Sequence, residues 1–184
     1  FLGRERIRTW NIPGADGDLY KVVVDILRPR VGMHVFGAGH VGQAVSMIGA
    51  MLGYSVRVYD DRPDLLLRER FPDSHIELIG CNFEMLGDVL GELKGSIIVI
   101  VTRGHQYDEV CLKQVMDSQA AYIGMIGSKR RVLSIFKKLR EDGINEREFG
   151  KVHAPIGLRI GAITPQEIAV SILAEVIQEL NGAN

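Results

Sequence analysis

The run Gly37-Ala38-Gly39-His40-Val41-Gly42 is the clearest candidate for chemistry in this sequence. Three glycines at this spacing suit an anion cradle. The first makes a tight turn, the second lets backbone approach a pyrophosphate, and the third lets a helix pack closely on a strand. Amides at the helix start, around Ala38 and Val41, then face the anion. Asp60 stands 23 residues beyond Gly37 and could accept hydrogen bonds from a ribose. A carboxylate there repels a 2′-phosphate, which favours NAD, FAD or another unmodified nucleotide over NADP. Asp61 reads first as a turn residue ahead of Arg62-Pro63 and joins the candidate set beside Arg62. That arginine could reach a phosphate or stand exposed in the turn. His40 falls in the first helical turn, where the helix dipole disfavours its cationic form unless an anion is present. It reads as a partly exposed structural histidine bordering the ligand.

Two more loops carry usable side chains. Thr102-Arg103-Gly104-His105-Gln106-Tyr107-Asp108 follows a strongly apolar strand. There Thr102 and His105 border the site, and His105 is suited to acid/base work, cofactor contact or metal ligation. Asp108 is expected to cap the next helix, and Cys111 to be packed. A His-Asp-Cys cluster matches no metal-site spacing, so no metal ligands are assigned. Gly127-Ser128-Lys129-Arg130-Arg131 ends another strand and opens a basic helix capped by Ser128. Three cations in a first turn oppose the dipole by roughly 0.3–1 kcal/mol each when exposed. The loop therefore reads either as a solvated basic face or as a second anion contact through Gly127, Ser128, Lys129 and Arg130. Pro155–Ala162 is apolar, turn-like and glycine-bearing, suited to close backbone approach by a ligand or partner. No GxxxxGK[ST] loop, nucleophile elbow or paired-cysteine motif occurs, and no catalytic residue is assigned.

These loops need a scaffold, and the sequence supplies one. Residues 1–30 hold two β-rich runs, Arg6–Ile12 and Tyr20–Ile26, about the turn Pro13–Asp18, so a hairpin extension is expected. A lone hairpin is marginal in water and seeks a surface, which favours a homo-oligomer. From Val31 strands and helices alternate. Strands are expected at Met33–Phe36, Tyr54–Tyr59, His75–Ile79, Ser96–Thr102 and Ala121–Ile126. Helices are expected from the glycine turn to Gly53, near Phe83–Leu93, over Asp108–Ser118 and over Lys129–Glu141. A final helix is capped by Thr164, Pro165 and Glu167. Its apolar face carries Ile168, Ile172, Val176 and Leu180. This order predicts an α/β fold over residues 31–184, a Rossmann-like doubly wound parallel sheet in three layers, with ligands at the carboxyl ends of the strands.

Composition narrows the classes. The 184 residues carry 22 Lys+Arg against 23 Asp+Glu, a formal charge of −1, which gives no reason to expect a nucleic-acid or anionic-membrane partner. Two cysteines are too few for a disulfide scaffold and fit a reducing cytoplasm. The longest apolar run, Ile97–Val101, is far short of a membrane span. The first residue is Phe1 rather than Met, as in the remainder of a longer chain.

Together the motifs resemble the Rossmann domain of the XdhC/CoxI-type xanthine dehydrogenase accessory family. The glycine run, Val58-Tyr59-Asp60-Asp61-Arg62-Pro63 and Thr102–Asp108 carry the likeness. So do Tyr122–Arg130, Pro155–Ala162 and Thr164-Pro165-Gln166-Glu167-Ile168-Ala169. The resemblance implies a maturation factor that binds molybdenum cofactor (molybdopterin), protects it during sulfuration and helps insert it into a molybdenum hydroxylase apoenzyme. A sulfurtransferase would be a second partner. The anion-friendly turns would hold the pterin phosphate or a nucleotide extension, with His105 and Gly127–Arg130 near the pterin or its metal. Full-length relatives resemble two-domain chains, and residues 1–30 look like the tail of the first domain. Two alternatives stand beside this one: an NAD-dependent oxidoreductase using His105, and a non-catalytic NAD-binding regulatory domain.

Overall fold

The computed structural model describes residues 7–15, 17–25 and 30–182, and for residues 7, 8, 25, 105 and 106 the backbone alone. Two compact units result, Phe1–Arg30 and Val31–Asn184. In the first, β1 (Ile7–Pro13) and β2 (Leu19–Asp25) pair antiparallel, Trp10 opposite Val22 and Ile12 opposite Tyr20. Gly17, at φ +87°, makes the turn. Arg6 and Ile26, the outer ends of the two expected runs, lie outside the described residues.

The second unit is a six-stranded sheet, all parallel. In chain order come β3 (Gly32–Phe36), α1 (His40–Met51), β4 (Ser55–Asp60), β5 (Glu77–Gly80), β6 (Ile97–Ile100) and α2 (His105–Val115). Then follow β7 (Tyr122–Met125), α3 (Lys129–Glu141), α4 (Glu146–Phe149), β8 (Val152–His153) and α5 (Pro165–Asn181). The spatial order β5-β4-β3-β6-β7-β8 reverses direction between β3 and β6. That switch point is where open α/β sheets bind ligands.

Alternation along each strand divides the apolar residues between two cores. Met33, Val35, Val56, Val58, Ile97 and Val99 face Ala44 and Val45 of α1 and Ile172 and Val176 of α5. Phe36, Ile98, Ile100, Ile123 and Met125 face Leu112 and Val115 of α2 and Val132, Ile135 and Leu139 of α3. Strands buried on both faces read as continuous apolar runs, as Ile97–Ile100 does. Helices on both sides complete the three layers.

Local chemistry fixes the helix ends. Gly53, at φ +89°, ends α1 with its N–H on the Ala50 carbonyl. Thr164 and Glu167 form a reciprocal capping box on α5, with Pro165 at its first position. Two expectations need correction. The helix expected near Phe83–Leu93 is a 3-10 turn, Phe83–Asp88, distorted at Met85. Gly87, Asp88 and Gly91 leave too few good helix formers to propagate it. And α2 begins at His105 with Gly104 as its cap, so Asp108 lies inside the helix instead of capping it.

His34 is an unexpected core residue. It is buried in β3, its Nδ1 3.0 Å from the Tyr59 hydroxyl and its ring stacked on that of Tyr59. Burial, with the nearby Arg57 guanidinium, lowers its pKa from 6.5 to about 4, against a smaller upward pull from Glu77. The unfolded chain therefore binds more protons between these values, so the stability His34 contributes is complete above pH 6.5 and lost as pH falls to about 4. About 3 kcal/mol of unfolding free energy should disappear across this window. Urea titrations from pH 7 to 4 should show that slope in the wild type and a flatter profile in His34→Gln.

Candidate functional site

The glycine turn joins β3 to α1 at the carboxyl edge of the sheet. Two of its glycines are demanded by the chain itself. At Gly37, φ is +114°, and a Cβ would sit 2.4 Å from the Val101 carbonyl oxygen. At Gly42 a Cβ would fall 1.8 Å from the carbonyl oxygen of Gly37. Gly39 differs: its backbone, at φ −64° and ψ −175°, suits any residue, and an added Cβ would meet nothing within 4 Å. Gly39 caps α1 without a side-chain hydrogen bond, and the first turn carries no acidic residue. The leading amides of α1, among them those of His40 and Val41, consequently remain available to an anion. His40 is exposed on this turn, and Ala38 is buried beneath it.

Asp60, at the end of β4, is fully buried. One oxygen accepts from the Ala38 N–H at 2.6 Å and from the Arg62 guanidinium at 2.9 Å. The other accepts from the Arg62 N–H at 3.0 Å and Nε at 2.8 Å. Burial pushes the Asp60 carboxyl upward, but Arg62 and the two backbone N–H groups outweigh it and hold the pKa below the usual range. Four donors fill a carboxylate's capacity, so in this geometry Asp60 ties the glycine turn to β4 and has no oxygen free for a ribose. Asp61 beside it accepts from Arg103 at 2.8 Å through one oxygen. Its other oxygen is buried without a hydrogen bond, 3.8 Å from Arg62 Nε. Asp61 thus links the β4 end to the loop after β6, which goes beyond a turn role.

Thr102 is buried after β6 and donates to Asp108 at 2.5 Å. The second Asp108 oxygen pairs with the Arg131 guanidinium from α3. This buried carboxylate, joining β6, α2 and α3, is a feature sequence reasoning misses. The Thr-x5-Asp spacing carries part of the signal, but nothing local points to Arg131, 23 residues away. His105 opens α2, and its side chain lies outside the described residues. Gly127 leads into α3, where Ser128 accepts from the Arg131 N–H at 3.3 Å. Lys129 and Arg130 are exposed there, with no acidic residue in the first turn.

Some candidates prove structural. Gly157 approaches α5 of its own chain, where a Cβ would meet Ser171 Oγ at 2.4 Å. Its N–H donates to Glu175 at 2.6 Å. The close approach expected of Pro155–Ala162 is thus made to a helix within the domain. Cys111 is buried in the α2–α3 core. Burial pushes both thiols up, Cys81 to about 11 and Cys111 further, so neither is a thiolate near neutrality. Among the described residues no three His, Cys, Asp or Glu side chains converge as a metal site would require. No helix among them is long and apolar enough to cross a membrane.

The sequence is matched by a family model, the XdhC Rossmann domain, over residues 33–176. The chain belongs to that family. Among curated relatives of this XdhC Rossmann domain is the Escherichia coli (strain K12) uncharacterized protein YqeB. It is 34% identical over all of this chain and 34% of its own length. A probable xanthine dehydrogenase subunit from Bacillus subtilis (strain 168) is 29% identical over 94% of this chain and 49% of its own length. The molybdenum cofactor insertion chaperone PaoD of Escherichia coli (strain K12) is 24% identical over 81% and 40%. The chain thus spans half or less of these relatives. A solved structure described as a xanthine dehydrogenase from Bacillus halodurans aligns with TM-score 0.73 and 26% identity. That alignment covers 90% of this chain and 46% of the other.

Proposed function

We propose that this XdhC Rossmann domain binds molybdenum cofactor and assists its delivery to a xanthine dehydrogenase-type apoenzyme. Family membership and the names of the relatives support the reading, and Gly39 carries it within the molecule. The fold requires glycine at Gly37 and Gly42 but not at Gly39, so the bare backbone there suits a ligand. An anionic group fits that cradle: α1 has unfilled leading amides, no acidic residue in its first turn and no capping side chain, while the Ala38 N–H is already given to Asp60. The glycine turn would hold the pterin phosphate or a nucleotide extension. Thr102, His105 and the Gly127–Arg130 loop would border the pterin. Arg62 would have to leave Asp60 before that carboxylate could meet a ribose.

The role would be to bind, shield and hand over cargo, with the apoenzyme and a sulfurtransferase as partners and sulfuration performed on the held cofactor. The hairpin supports an oligomeric contact, because Trp10, Ile12 and Tyr20 are 46–49% exposed on one face of β1 and β2. Sedimentation should return a mass above 20.4 kDa.

Gly39→Asp separates ligand binding from folding. Aspartate suits a helix N-cap in extended backbone, so stability should hold within about 1 kcal/mol. Its charge should cost at least roughly tenfold in affinity for an anionic ligand, about 1.4 kcal/mol or more. Anaerobic calorimetry with molybdenum cofactor should give binding to the wild type and the loss in the variant. Binding of NAD alone would move the assignment to a nucleotide sensor or dehydrogenase, and binding of neither would overturn it for this chain.

A further inference from the structure

A cleft of about 900 Å³ opens between α2 and α3, and none of its lining residues belongs to the glycine turn. Arg103, Arg130, Arg131 and Lys138 line it, with Tyr107 and Ile135 among the remainder and Glu109 as its carboxylate. The volume suits a small organic ligand. Four cations face one carboxylate, and the partners behind them do not restore balance. Arg103 is held by Asp61, Arg131 by Asp108 and Lys138 by Glu109 at 3.0 Å. Arg130 makes no ion pair with any described residue. Arg131 Nε is buried without a hydrogen-bond partner. The 13-residue helix α3 also directs its amino end toward Ser128, with no acidic residue in its first turn. Each of these features favours a negative guest. One of them, the buried orphan nitrogen of Arg131, calls for a solvent or ligand partner, and Arg130 adds an exposed charge at the rim.

We infer that this cleft is a second anion-binding site, built for the phosphate end of a small organic phosphate, and that it acts apart from the glycine turn. Arg130 supplies the free charge and Lys138 the second. The phosphate competes with the half-buried Glu109 for Lys138, whose ammonium is the exposed member of that pair, and a doubly charged group competes well with a single carboxylate. Arg131 stays on Asp108 and presents its edge, while Arg103 over the Tyr107 ring, 5.6 Å from its centroid, forms the wall on the β4 side. The site does not depend on the ligand being molybdenum cofactor; a pterin phosphate or a nucleotide would offer the same end group.

Inorganic pyrophosphate is the probe, titrated into the full chain and followed by amide chemical shifts and calorimetry. Shifts should appear at Gly104, Ser128 and Ser134 in addition to those at the glycine turn, should persist there in Gly39→Asp, and affinity should fall as salt rises. The double variant Arg130→Gln, Lys138→Gln alters two exposed side chains. It should lose roughly tenfold or more in affinity, as expected for charge-assisted bonds. Gly39→Asp should leave pyrophosphate binding here unchanged. Shifts confined to Gly37–Gly42, or an affinity indifferent to the double variant, would overturn the inference. Failure of molybdenum cofactor to bind, with pyrophosphate still bound here, would sink the cargo assignment and leave the cleft standing.

Discussion

Gly42→Ala is expected to cost more than about 4 kcal/mol and to leave the domain largely unfolded near physiological temperature. The added methyl would lie 1.8 Å from the Gly37 carbonyl oxygen and 2.9 Å from its carbon. Neither atom can retreat, because the Gly37 N–H is bound to the Tyr59 carbonyl at 2.8 Å and the Gly37 Cα side abuts Val101. Relief would require α1 to move off β3, opening the core that holds Val35, Val45 and Ile172. Gly49→Ala is the informative control. There the nearest atom is the Met33 sulfur at 2.8 Å, the end of a flexible side chain. Overpacking of about 1–3 kcal/mol is offset in part by roughly 1 kcal/mol of helix propensity. Denaturant midpoints for Gly39→Asp, Gly49→Ala and Gly42→Ala should therefore fall in that order. A folded Gly42→Ala with an ordinary midpoint would mean that the turn has room for a methyl group after all.

Asp60→Asn should carry the second largest penalty, about 3 kcal/mol. Breaking a buried ion pair costs about 3–5 kcal/mol, and Arg62, 25% exposed, keeps enough water to hold the loss at the lower end. The amide also turns one acceptor oxygen into a donor facing Ala38 N–H or Arg62, which both donate already. Since the Asp60 pKa is held below 3.8 in the fold, its contribution is present above that pH and lost as pH falls through the folded value. Wild type and variant should converge in stability in strong acid. The sequence alone suggests that removing this carboxylate weakens ribose-containing ligands and barely touches a simple pterin phosphate. The geometry reverses that expectation: Asp60 anchors the Ala38 N–H, so both ligand classes should weaken together as the turn loosens. Selective loss of nucleotide binding, with unchanged stability, would restore Asp60 as a ribose acceptor.

Much of the frame is legible from residue order. The apolar runs at Met33–Phe36 and Ile97–Ile100, Gly37 and Gly42 of the glycine run and the Thr164–Glu167 box each encode their conformation within a few residues. Periodicity, φ > 0 and capping are local properties, and they survive being read without the fold. Helix α3 follows the same rule: Ser128 caps it, and the span expected for it, Lys129–Glu141, is the span observed.

What only the tertiary structure decided are the partners. Asp60 and Arg62 are near neighbours, yet whether the carboxylate faces a ligand or folds back on its arginine depends on Ala38, 22 residues earlier. Asp108 reads as a helix cap because Asp caps helices locally. In the fold α2 starts at His105, and the carboxylate turns to Thr102 and Arg131 instead. The basic first turn of α3 is ambiguous for the same reason, since sequence cannot say whether three cations face water or a shared cleft. Distance in the chain does not report distance in space, and burial sets what a charge must bind. The sequence therefore determined the turns and helix starts at the carboxyl edge of the sheet, and packing decided which side chains beside them are already paired.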